Sequence, residues 1–286
     1  MNALHVVAPG PLALVEDLGR PGFAHLGVAR SGALDRGALA LANRLIGNPD
    51  GAAGLELVGG GFRARFDAET WFAVAGAWGG LRLDGRRIAP YTAARATAGG
   101  ELEVEAPQRG IRSYLAVRGG LDVPAVLGSR SRDTLAGLGP APLAAGDRLG
   151  IGAEPAASVP VLDGEAAFPP PAGAATIALL PGPRADWFTD ASRAALFDRD
   201  WRLSADADRV GARLDGPPLE RRVAGELPSE GTVPGSIQVP PSGLPTILLA
   251  DRPVTGGYPV IAVVAPDSLD VVAQLRPGQG VRFRHR

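Results

Sequence analysis

Pro234-Gly235-Ser236-Ile237-Gln238-Val239-Pro240 is followed by two apolar runs, Thr246 to Ala250 and Val260 to Val264. Each run is short and is bounded by proline, glycine or aspartate, a pattern typical of strands buried in a sheet. Two other stretches, Leu102 to Glu105 and Val281 to Arg284, alternate apolar and charged residues, as half-exposed strands do. Together these stretches predict a mainly β, barrel-like protein with a few short helices.

The composition fits a turn-rich globular chain. The 286 residues are 45% apolar and only 5% aromatic, with 40 glycines and 27 prolines. That length predicts one large domain or two of ordinary size, and the apolar share is enough for a sizeable core. The abundance of turn formers favours many short strands over a few long helices.

Charge and hydropathy exclude several classes of function. The net charge is −1 and basic residues form no block, whereas nucleic-acid binding needs a concentrated positive surface. The longest apolar runs are too short to span a membrane. The first apolar stretch follows no basic residue, so it does not resemble a signal peptide. We therefore expect a cytoplasmic protein with no nucleic-acid or membrane partner, and the absence of cysteine excludes disulfide and thiol chemistry.

The chain contains no lysine, since all 29 of its basic residues are arginine. Schiff-base catalysis and a Walker-type phosphate loop both require lysine, so neither is possible on this chain. Biotin attached covalently through a lysine is excluded for the same reason.

A proline- and alanine-rich stretch divides the chain. We predict a first β-barrel subdomain over residues 1–153, a linker or long loop over 154–175, and a second β-barrel subdomain over 176–286. Weak echoes in the same order, such as Val7 to Pro11 and Leu179 to Pro183, suggest that the halves are related. Chance similarity of Pro-Gly turns explains these echoes equally well.

Two helices are predicted from their caps. The first has Asp35 as N-cap, an apolar stripe that includes Ala38 and Leu45, and Gly47 to end it. The second begins near Thr189, which is also a good N-cap.

No familiar catalytic signature is present, and the three histidines have no ligand-like spacing, so no metal site is predicted. The remaining candidates are polar residues on glycine-rich turns, which suit recognition of an anionic or amide-bearing small molecule. Arg20 and Arg209 are candidate anion binders, because a guanidinium matches a carboxylate or phosphate with its planar fork.

Asn43 and Gln238 are the candidate readers of an amide or carbonyl group. Asp251 and Asp35 are the candidate catalytic carboxylates, acting as a base or as the partner of an arginine. Each candidate also has an ordinary alternative: Asp35 can cap a helix, Asp251 can close a turn, and the arginines can form surface pairs.

A run of motifs resembles one family of carboxyltransferase domains, the allophanate hydrolase subunit 2 family, which also includes the C subunits of 5-oxoprolinases. The motifs that carry the resemblance occur in the family's order and span nearly the whole chain. They include Glu16-Asp17-Leu18-Gly19-Arg20, Ser31 to Asp35, Ala42 to Asn48, Arg118-Gly119-Gly120, Asp208 to Gly211, Gly235 to Pro240, Asp251-Arg252 and Thr255-Gly256-Gly257-Tyr258-Pro259. Four positions depart from the usual pattern: Glu16 replaces Gln, Ala29 replaces Pro, and Pro253-Val254 replace Gln-Thr.

The resemblance implies two cyclophilin-like β-barrel subdomains and partner chains. One partner is a sister subunit of the allophanate hydrolase subunit 1 or kinase-inhibitor family, and another is a third 5-oxoprolinase subunit. With them the chain would form an ATP-dependent 5-oxoprolinase that opens the 5-oxoproline lactam to glutamate. ATP would be held at least partly by the partners. Arg20, Asp35, Asn43, Gln238, Asp251 and Tyr258 would line a cleft shared with the sister chain, with Tyr258 among the substrate-binding residues.

Two alternatives remain open. One is the carboxyltransferase half of a biotin-dependent urea or amide carboxylase, with biotin carried on another protein. The other is a non-catalytic regulator that binds a kinase-inhibitor sister subunit.

Overall fold

In the computed structural model, which describes residues 2–160 and 169–286, short strands dominate and helices are few. The chain divides into two units. The first unit contains Met1–Arg20, Asp35–Asp133 and Gly137–Ala172, and the second contains Pro21–Leu34, Thr134–Ala136 and Gly173–Arg286. The subdomain and linker boundaries predicted from the sequence stay a prediction, and residues 161–168 of that linker lie outside the described residues.

In residues 2–160 and 169–172, the described part of the first unit contains twelve strands and one helix. They are β1 (Ala3–Pro9), β2 (Leu12–Glu16), α1 (Arg36–Leu45), β3 (Gly54–Val58), β4 (Phe62–Phe66), β5 (Thr70–Trp78), β6 (Leu81–Leu83), β7 (Arg86–Ile88), β8 (Ala94–Ala96), β9 (Glu101–Val104), β10 (Arg109–Val117), β11 (Leu121–Asp122) and β12 (Arg148–Ile151).

These strands form two antiparallel sheets around one core. The seven-stranded sheet has the order β11-β12-β1-β4-β9-β6-β7, and the five-stranded sheet has the order β2-β3-β10-β5-β8. Side chains from both sheets share one buried cluster, which includes Leu4, Phe62, Phe72 and Leu115. Helix α1 covers the outer face of β5 and β10, where small residues such as Ala73 and Ala116 let it pack closely.

The second unit holds the remaining elements. They are β13 (Ala175–Pro181), α2 (Asp190–Asp198), β14 (Trp201–Leu203), β15 (Gly211–Asp215), β16 (Glu230–Gly231), β17 (Ser236–Gln238), β18 (Thr246–Leu248), β19 (Thr255–Gly256), β20 (Val260–Val264), α3 (Leu269–Ala273) and β21 (Gly280–His285), with 3-10 turns at Ala24–Leu26, Ala185–Trp187 and Pro266–Ser268.

Seven of these strands close into a barrel in the order β13-β20-β17-β18-β15-β14-β21. The parallel pair β13–β21 completes the ring, with Ala175 opposite Val281 and Leu179 opposite His285. Closure removes the unpaired edges that an open sheet would present. Strands β16 and β19 pair separately, and we call this two-stranded sheet the β16–β19 ribbon.

The predicted fold class is confirmed, because the chain is mainly β and contains a closed barrel and few helices. Both predicted helices are confirmed with their caps. Asp35 Oδ1 accepts a hydrogen bond from Ala38 N at 2.8 Å, and Thr189 Oγ1 accepts one from Ser192 N at 3.1 Å. Within the described ranges, none of the helices has the length and apolar character needed to cross a lipid bilayer.

Trp201 is the largest fully buried side chain in the barrel core. Its indole Nε1 donates to the Leu196 carbonyl of α2 at 3.0 Å, so the ring ties that helix to the barrel. Gly216 leaves room for the ring, since a Cβ there would lie 2.5 Å from Trp201 Cε3.

Replacing this ring should destabilise the second unit strongly. We expect Trp201→Ala to lower the free energy of unfolding by about 3–5 kcal/mol, because it empties a close-packed site and leaves a carbonyl unpaired. Urea denaturation followed by circular dichroism measures the loss. Leu26→Ala is the control, since Leu26 is 62% exposed and should change stability by no more than about 0.5 kcal/mol. Equal losses in the two variants would contradict this account of the core.

Candidate functional site

A buried ion pair joins Arg209 and Asp251 in the second unit. Arg209 Nε donates to Asp251 Oδ2 at 2.9 Å and Nη2 donates to Oδ1 at 3.1 Å, the two-pronged geometry of a guanidinium on a carboxylate. Arg209 is 3% exposed and Asp251 is fully buried. Arg209 Nη2 also donates to the Gly32 carbonyl at 2.7 Å.

Asp251 accepts further hydrogen bonds from two distant segments. Ser31 Oγ donates to Oδ1 at 2.5 Å, while the backbone N and the Oγ1 of Thr134 donate to Oδ2 at 2.9 and 2.7 Å. Ser31 has a φ of +54°, an uncommon conformation for a residue with a side chain. The Asp251 carboxylate is thus the point at which four segments of the second unit meet.

The surroundings of Asp251 fix its charge. Burial by itself raises the pKa of this carboxyl, but the charge of Arg209 and the hydrogen bonds from Arg209, Ser31 and Thr134 outweigh it and hold the pKa below its ordinary value. A carboxylate whose lone pairs are all engaged takes up a proton poorly. Of the two roles predicted for Asp251, these contacts support the partner of an arginine over the base.

Gln238 ends β17 with its side chain 6% exposed. Its Nε2 donates to the Tyr258 carbonyl at 3.2 Å, and the amide lies against Gly256. A Cβ at Gly256 would come within 2.4 Å of Nε2, so a larger residue there would displace the Gln238 amide from this position. Within the described residues no donor lies on Gln238 Oε1, which leaves one donor hydrogen and the acceptor of the amide for another molecule.

Tyr258 lies beside Gln238 with its side chain 47% exposed. Its carbonyl, rather than its phenol, holds the Gln238 amide. The structure therefore brings Gln238 and Tyr258 together, and Arg209 and Asp251 together.

Arg252 is a candidate that sequence reasoning missed, although it follows Asp251 directly. It is 7% exposed, and its Nη2 donates to the Thr232 carbonyl of the neighbouring segment at 3.2 Å. Its Nε and Nη1 are buried and have no acceptor among the described residues. No sequence signal separates Arg252 from Arg209, because only the fold decides which of the two arginines pairs with Asp251.

Pro253 and Val254, two of the positions that depart from the resembled motif pattern, contact Thr232 through their backbones. Thr232 Oγ1 donates to the Pro253 carbonyl at 2.6 Å, and Thr232 N donates to the Val254 carbonyl at 2.9 Å. Because both contacts are made by carbonyls, the changes of side chain at these positions leave them intact.

Arg20 belongs to the first unit and is almost wholly buried. Its Nε donates to the Val126 carbonyl at 3.3 Å, and its Nη2 donates to the Ser131 carbonyl. Nearby, Asp17 Oδ1 accepts from Ser129 Oγ at 2.6 Å and Ser131 Oγ at 2.5 Å. These contacts fix the loop that carries Ser129 and Ser131.

Asp35 and Asn43 also belong to the first unit. Asp35 caps α1, and its backbone N donates to the Tyr114 hydroxyl at 2.8 Å. That hydroxyl in turn donates to Glu56 Oε2 at 2.7 Å. Burial, followed by the charges of Glu56 and Asp35, raises the pKa of Tyr114 well above its ordinary value, so the phenol stays protonated and can donate.

Asn43 lies on the buried face of α1. Its Nδ2 donates to the Ala52 carbonyl at 2.8 Å, and its Oδ1 accepts from Asn48 Nδ2 at 3.0 Å. Asn48 in turn donates to the Val117 carbonyl at 2.7 Å and accepts from Gly119 N at 3.0 Å. The two asparagines tie the end of α1 to the end of β10. That the predicted residues of both units line one cleft stays a prediction.

The described part of the chain contains no group of histidine and acidic side chains that could hold a metal ion. His25 and His285 are exposed, and His285 stacks on Phe197 with the ring centroids 3.8 Å apart.

The family model of the carboxyltransferase domain, subdomain A and B, matches residues 26–285. This chain belongs to that family. The resemblance drawn from the sequence motifs is thereby confirmed.

Individual proteins are similar to this chain over nearly its whole length. The 5-oxoprolinase C subunit of Escherichia coli (strain K12) is 38% identical over 283 residues, which are 98% of this chain and 90% of the relative. The crystal structure of TTHA0988 superposes with a TM-score of 0.89 at 40% identity, covering 99% of this chain. The urea carboxylase of Kluyveromyces lactis also superposes with a TM-score of 0.89, at 29% identity over 99% of this chain. This chain spans only 56% of the TTHA0988 chain and 27% of the urea carboxylase chain.

The ionised Asp251 should make stability depend on acidity. Its pKa is lower in the folded chain than the unfolded value of about 3.9, so its contribution is complete above that pH and is lost as the pH falls below it. We expect the stability advantage of the natural chain over Asp251→Asn to be largest near neutral pH and to shrink on acidification. Urea denaturation at a series of pH values from about 7 to about 3 measures this.

The matched control for that series is Asp206→Asn, because Asp206 is an exposed carboxylate of the same unit. Its stability should follow the natural chain at every pH. An advantage over Asp251→Asn that stays constant to the acid end of the series would show that Asp251 is not the ionised member of the pair.

Proposed function

We propose that this chain is the carboxyltransferase-domain subunit of a heteromeric, ATP-dependent 5-oxoprolinase, which opens the 5-oxoproline lactam to glutamate. The observation that carries the proposal is the near end-to-end match to the 5-oxoprolinase C subunit of Escherichia coli. In the urea carboxylase, by contrast, the matching region is a minor part of a much longer chain.

The reaction adds water across an amide. The lactam C–N bond breaks, the acyl carbon gains the hydroxyl group, and the ring nitrogen gains a proton. ATP hydrolysis supplies the free energy that drives the opening of the lactam. The role of this chain would be to bind and orient the lactam and to stabilise the charge that develops on the lactam oxygen.

Gln238 is suited to hold the lactam. The C=O and N–H of a five-membered lactam point to the same side of the ring, and a primary amide presents one donor and one acceptor in the matching order. Gln238 has its second Nε2 hydrogen and its Oε1 left for such a pair, while the Tyr258 carbonyl and Gly256 keep the side chain in place. Fixing the side chain beforehand lowers the entropy cost of binding.

The other predicted residues of the second unit would support this contact. Arg209 and Asp251 hold the start of the 251–258 segment, and Tyr258 presents its exposed phenol at the far end. For Arg20, Asp35 and Asn43 the contacts favour a structural role in the first unit, and direct contact with the substrate stays a prediction for them.

ATP is assigned at least in part to the partner subunits. A triphosphate needs a cluster of cationic and backbone donors, often at the start of a helix. In the described ranges, the two helices of eight or more residues both begin with acidic residues, Asp35 before α1 and Asp190 in α2, and the chain has no lysine. These helix starts do not fit a triphosphate.

A carboxyltransferase function is the second candidate. The family description and the fit to the urea carboxylase favour it. Without lysine, this chain would have to receive biotin that is carried on another protein. An assay that includes avidin separates the two functions, because avidin traps biotin and should inhibit only carboxyl transfer.

The isolated chain should be inactive. We expect no glutamate from 5-oxoproline and ATP with this chain alone, and activity on addition of the sister and third 5-oxoprolinase subunits. The reason is that the serine hydroxyls beside Asp251 and Asp17, those of Ser31, Ser129 and Ser131, are committed to buried hydrogen bonds, and the described helix starts do not fit a triphosphate. Chromatographic measurement of glutamate, with and without each subunit, tests this. Full turnover by the isolated chain would overturn the proposed division of labour.

Loss of the Gln238 amide should reduce catalysis more than stability. In the assembled complex we expect Gln238→Ala to lower kcat/KM for 5-oxoproline by about tenfold or more, since about 1.4 kcal/mol corresponds to a factor of ten. The melting temperature should move little. Gln108→Ala is the matched control, because Gln108 is exposed on the first unit. Unchanged kinetics together with a lowered melting temperature would reject the amide-reading role.

A further inference from the structure

Arg252 carries a buried positive charge that the described chain does not neutralise. One of its three guanidinium nitrogens donates to the Thr232 carbonyl, and the other two, Nε and Nη1, lie out of contact with solvent and without an acceptor among the described residues. The adjacent carboxylate cannot serve, because Asp251 is engaged by Arg209, Ser31 and Thr134.

Such an arrangement is costly. Burial lowers the pKa of Arg252 below its ordinary value, and no acidic group in the described part of the chain raises it again. A guanidinium still stays protonated at neutral pH, so its desolvation is not relieved by loss of a proton. A buried donor that remains unpaired needs an explanation in function or in a missing partner.

The β16–β19 ribbon places this guanidinium near Gln238. Glu230 and Gly231 pair with Gly256 and Thr255, and the Thr232 N to Val254 O hydrogen bond extends the pairing by one step. Arg252 holds the Thr232 carbonyl at one end of this pairing, and the Gln238 amide lies against Gly256 at the other. Thr232 and Glu230 are two residues apart along one strand, which is about 6.5 Å. Gly256 lies opposite Glu230, about 5 Å further across the ribbon.

This spacing suits a small molecule that has an amide at one end and an anion at the other. A guanidinium binds a carboxylate through charge-assisted hydrogen bonds, and Nε and Nη1 are the two nitrogens left without a partner among the described residues. These two lie on either side of the Cδ arm, so a parallel pair to one carboxylate would use Nη1 together with the second hydrogen of Nη2. 5-Oxoproline carries a carboxylate on the carbon next to its lactam nitrogen. Urea carries no carboxylate.

The ribbon can give the substrate access. Each of its strands has only two paired residues, and both Gly231 and Thr255 are exposed. Segments with few backbone hydrogen bonds and exposed residues open at low cost in free energy. Because Arg252 Nη2 is bonded to this segment at Thr232, a shift of the ribbon is the movement by which a ligand would reach the guanidinium.

We propose that the Arg252 guanidinium binds the carboxylate of the lactam acid whose amide is held by Gln238. The assignment rests on the proposed 5-oxoprolinase function and makes Arg252 the residue that selects an acid over a neutral lactam.

The test compares 5-oxoproline with 5-oxoprolinamide, in which a neutral amide replaces the carboxylate. Both are assayed with the assembled complex and ATP, and binding of 5-oxoproline is measured separately by calorimetry without ATP. The natural complex should prefer the acid. Arg252→Gln should lower kcat/KM for the acid by about 10- to 100-fold, the usual range for a charged hydrogen-bonded contact, and leave the amide nearly unchanged. Calorimetry should show the same loss of affinity for the acid.

Two further variants sharpen the result. Arg252→Lys keeps the charge but loses the fork, so its preference for the acid should be intermediate. Arg199→Gln removes an exposed arginine of the same unit and should behave as the natural chain. Arg252→Gln should also melt at the same temperature as the natural chain or higher, because it removes an uncompensated buried charge.

The outcomes separate the two proposals. If the natural complex opens 5-oxoproline but Arg252→Gln keeps the full preference for the acid, the carboxylate assignment is wrong and the function stands. Equal loss for both substrates also overturns the assignment. If Arg252→Gln instead weakens assembly with the sister subunit, measured by gel filtration, the guanidinium serves a carboxylate of that partner and not of the substrate. A natural complex that opens no 5-oxoproline overturns the function itself and the assignment with it.

Discussion

The second unit depends on one buried pair of charges. Burying either Arg209 or Asp251 without the other would cost several kilocalories per mole, because a charge would lose its water without gaining a partner. Their pairing is favourable only when the remaining lone pairs of the carboxylate are filled, and Ser31 and Thr134 fill them from parts of the chain far away in sequence. The requirement to satisfy one carboxylate therefore determines where the Ser31-Gly32 turn and residue 134 lie, and both belong to the second unit.

The same pairing decides which arginine is available. Asp251 forms its ion pair with Arg209 and not with Arg252, although Arg252 follows it directly in sequence. Because the chain has arginine and no lysine, guanidinium groups have two roles: one pairs with a buried carboxylate, and the other donates to a ligand. The nitrogens of Arg252 that are unpaired among the described residues distinguish the two arginines, while burial and residue type do not.

Much of the fold could be predicted from local pattern. The strand Val260–Val264 was located to the residue, and the helices after Asp35 and Thr189 begin where their caps indicate, because these signals depend on near neighbours in sequence. The pairing of strands could not be predicted in this way. It depends on contacts such as Ser31 with Asp251, and one sequence gives no measure of which distant residues meet. Which of Arg209 and Arg252 pairs with Asp251 could not be predicted for the same reason.

The closure of the barrel has a consequence for how the chain acquires its structure during synthesis. Strand β21 lies between β13 and β14 in the ring, yet it is made long after β13, which begins at Ala175. Until residues 280–285 leave the ribosome, β13 and β14 each keep an open edge, and contacts between residues so distant form slowly. The Ser31-Gly32 turn must wait as well, since its partners Arg209 and Asp251 come much later. For that interval the nascent chain exposes strand edges that can pair with other chains, so its folding should depend on dilution and on chaperones more than its final stability suggests.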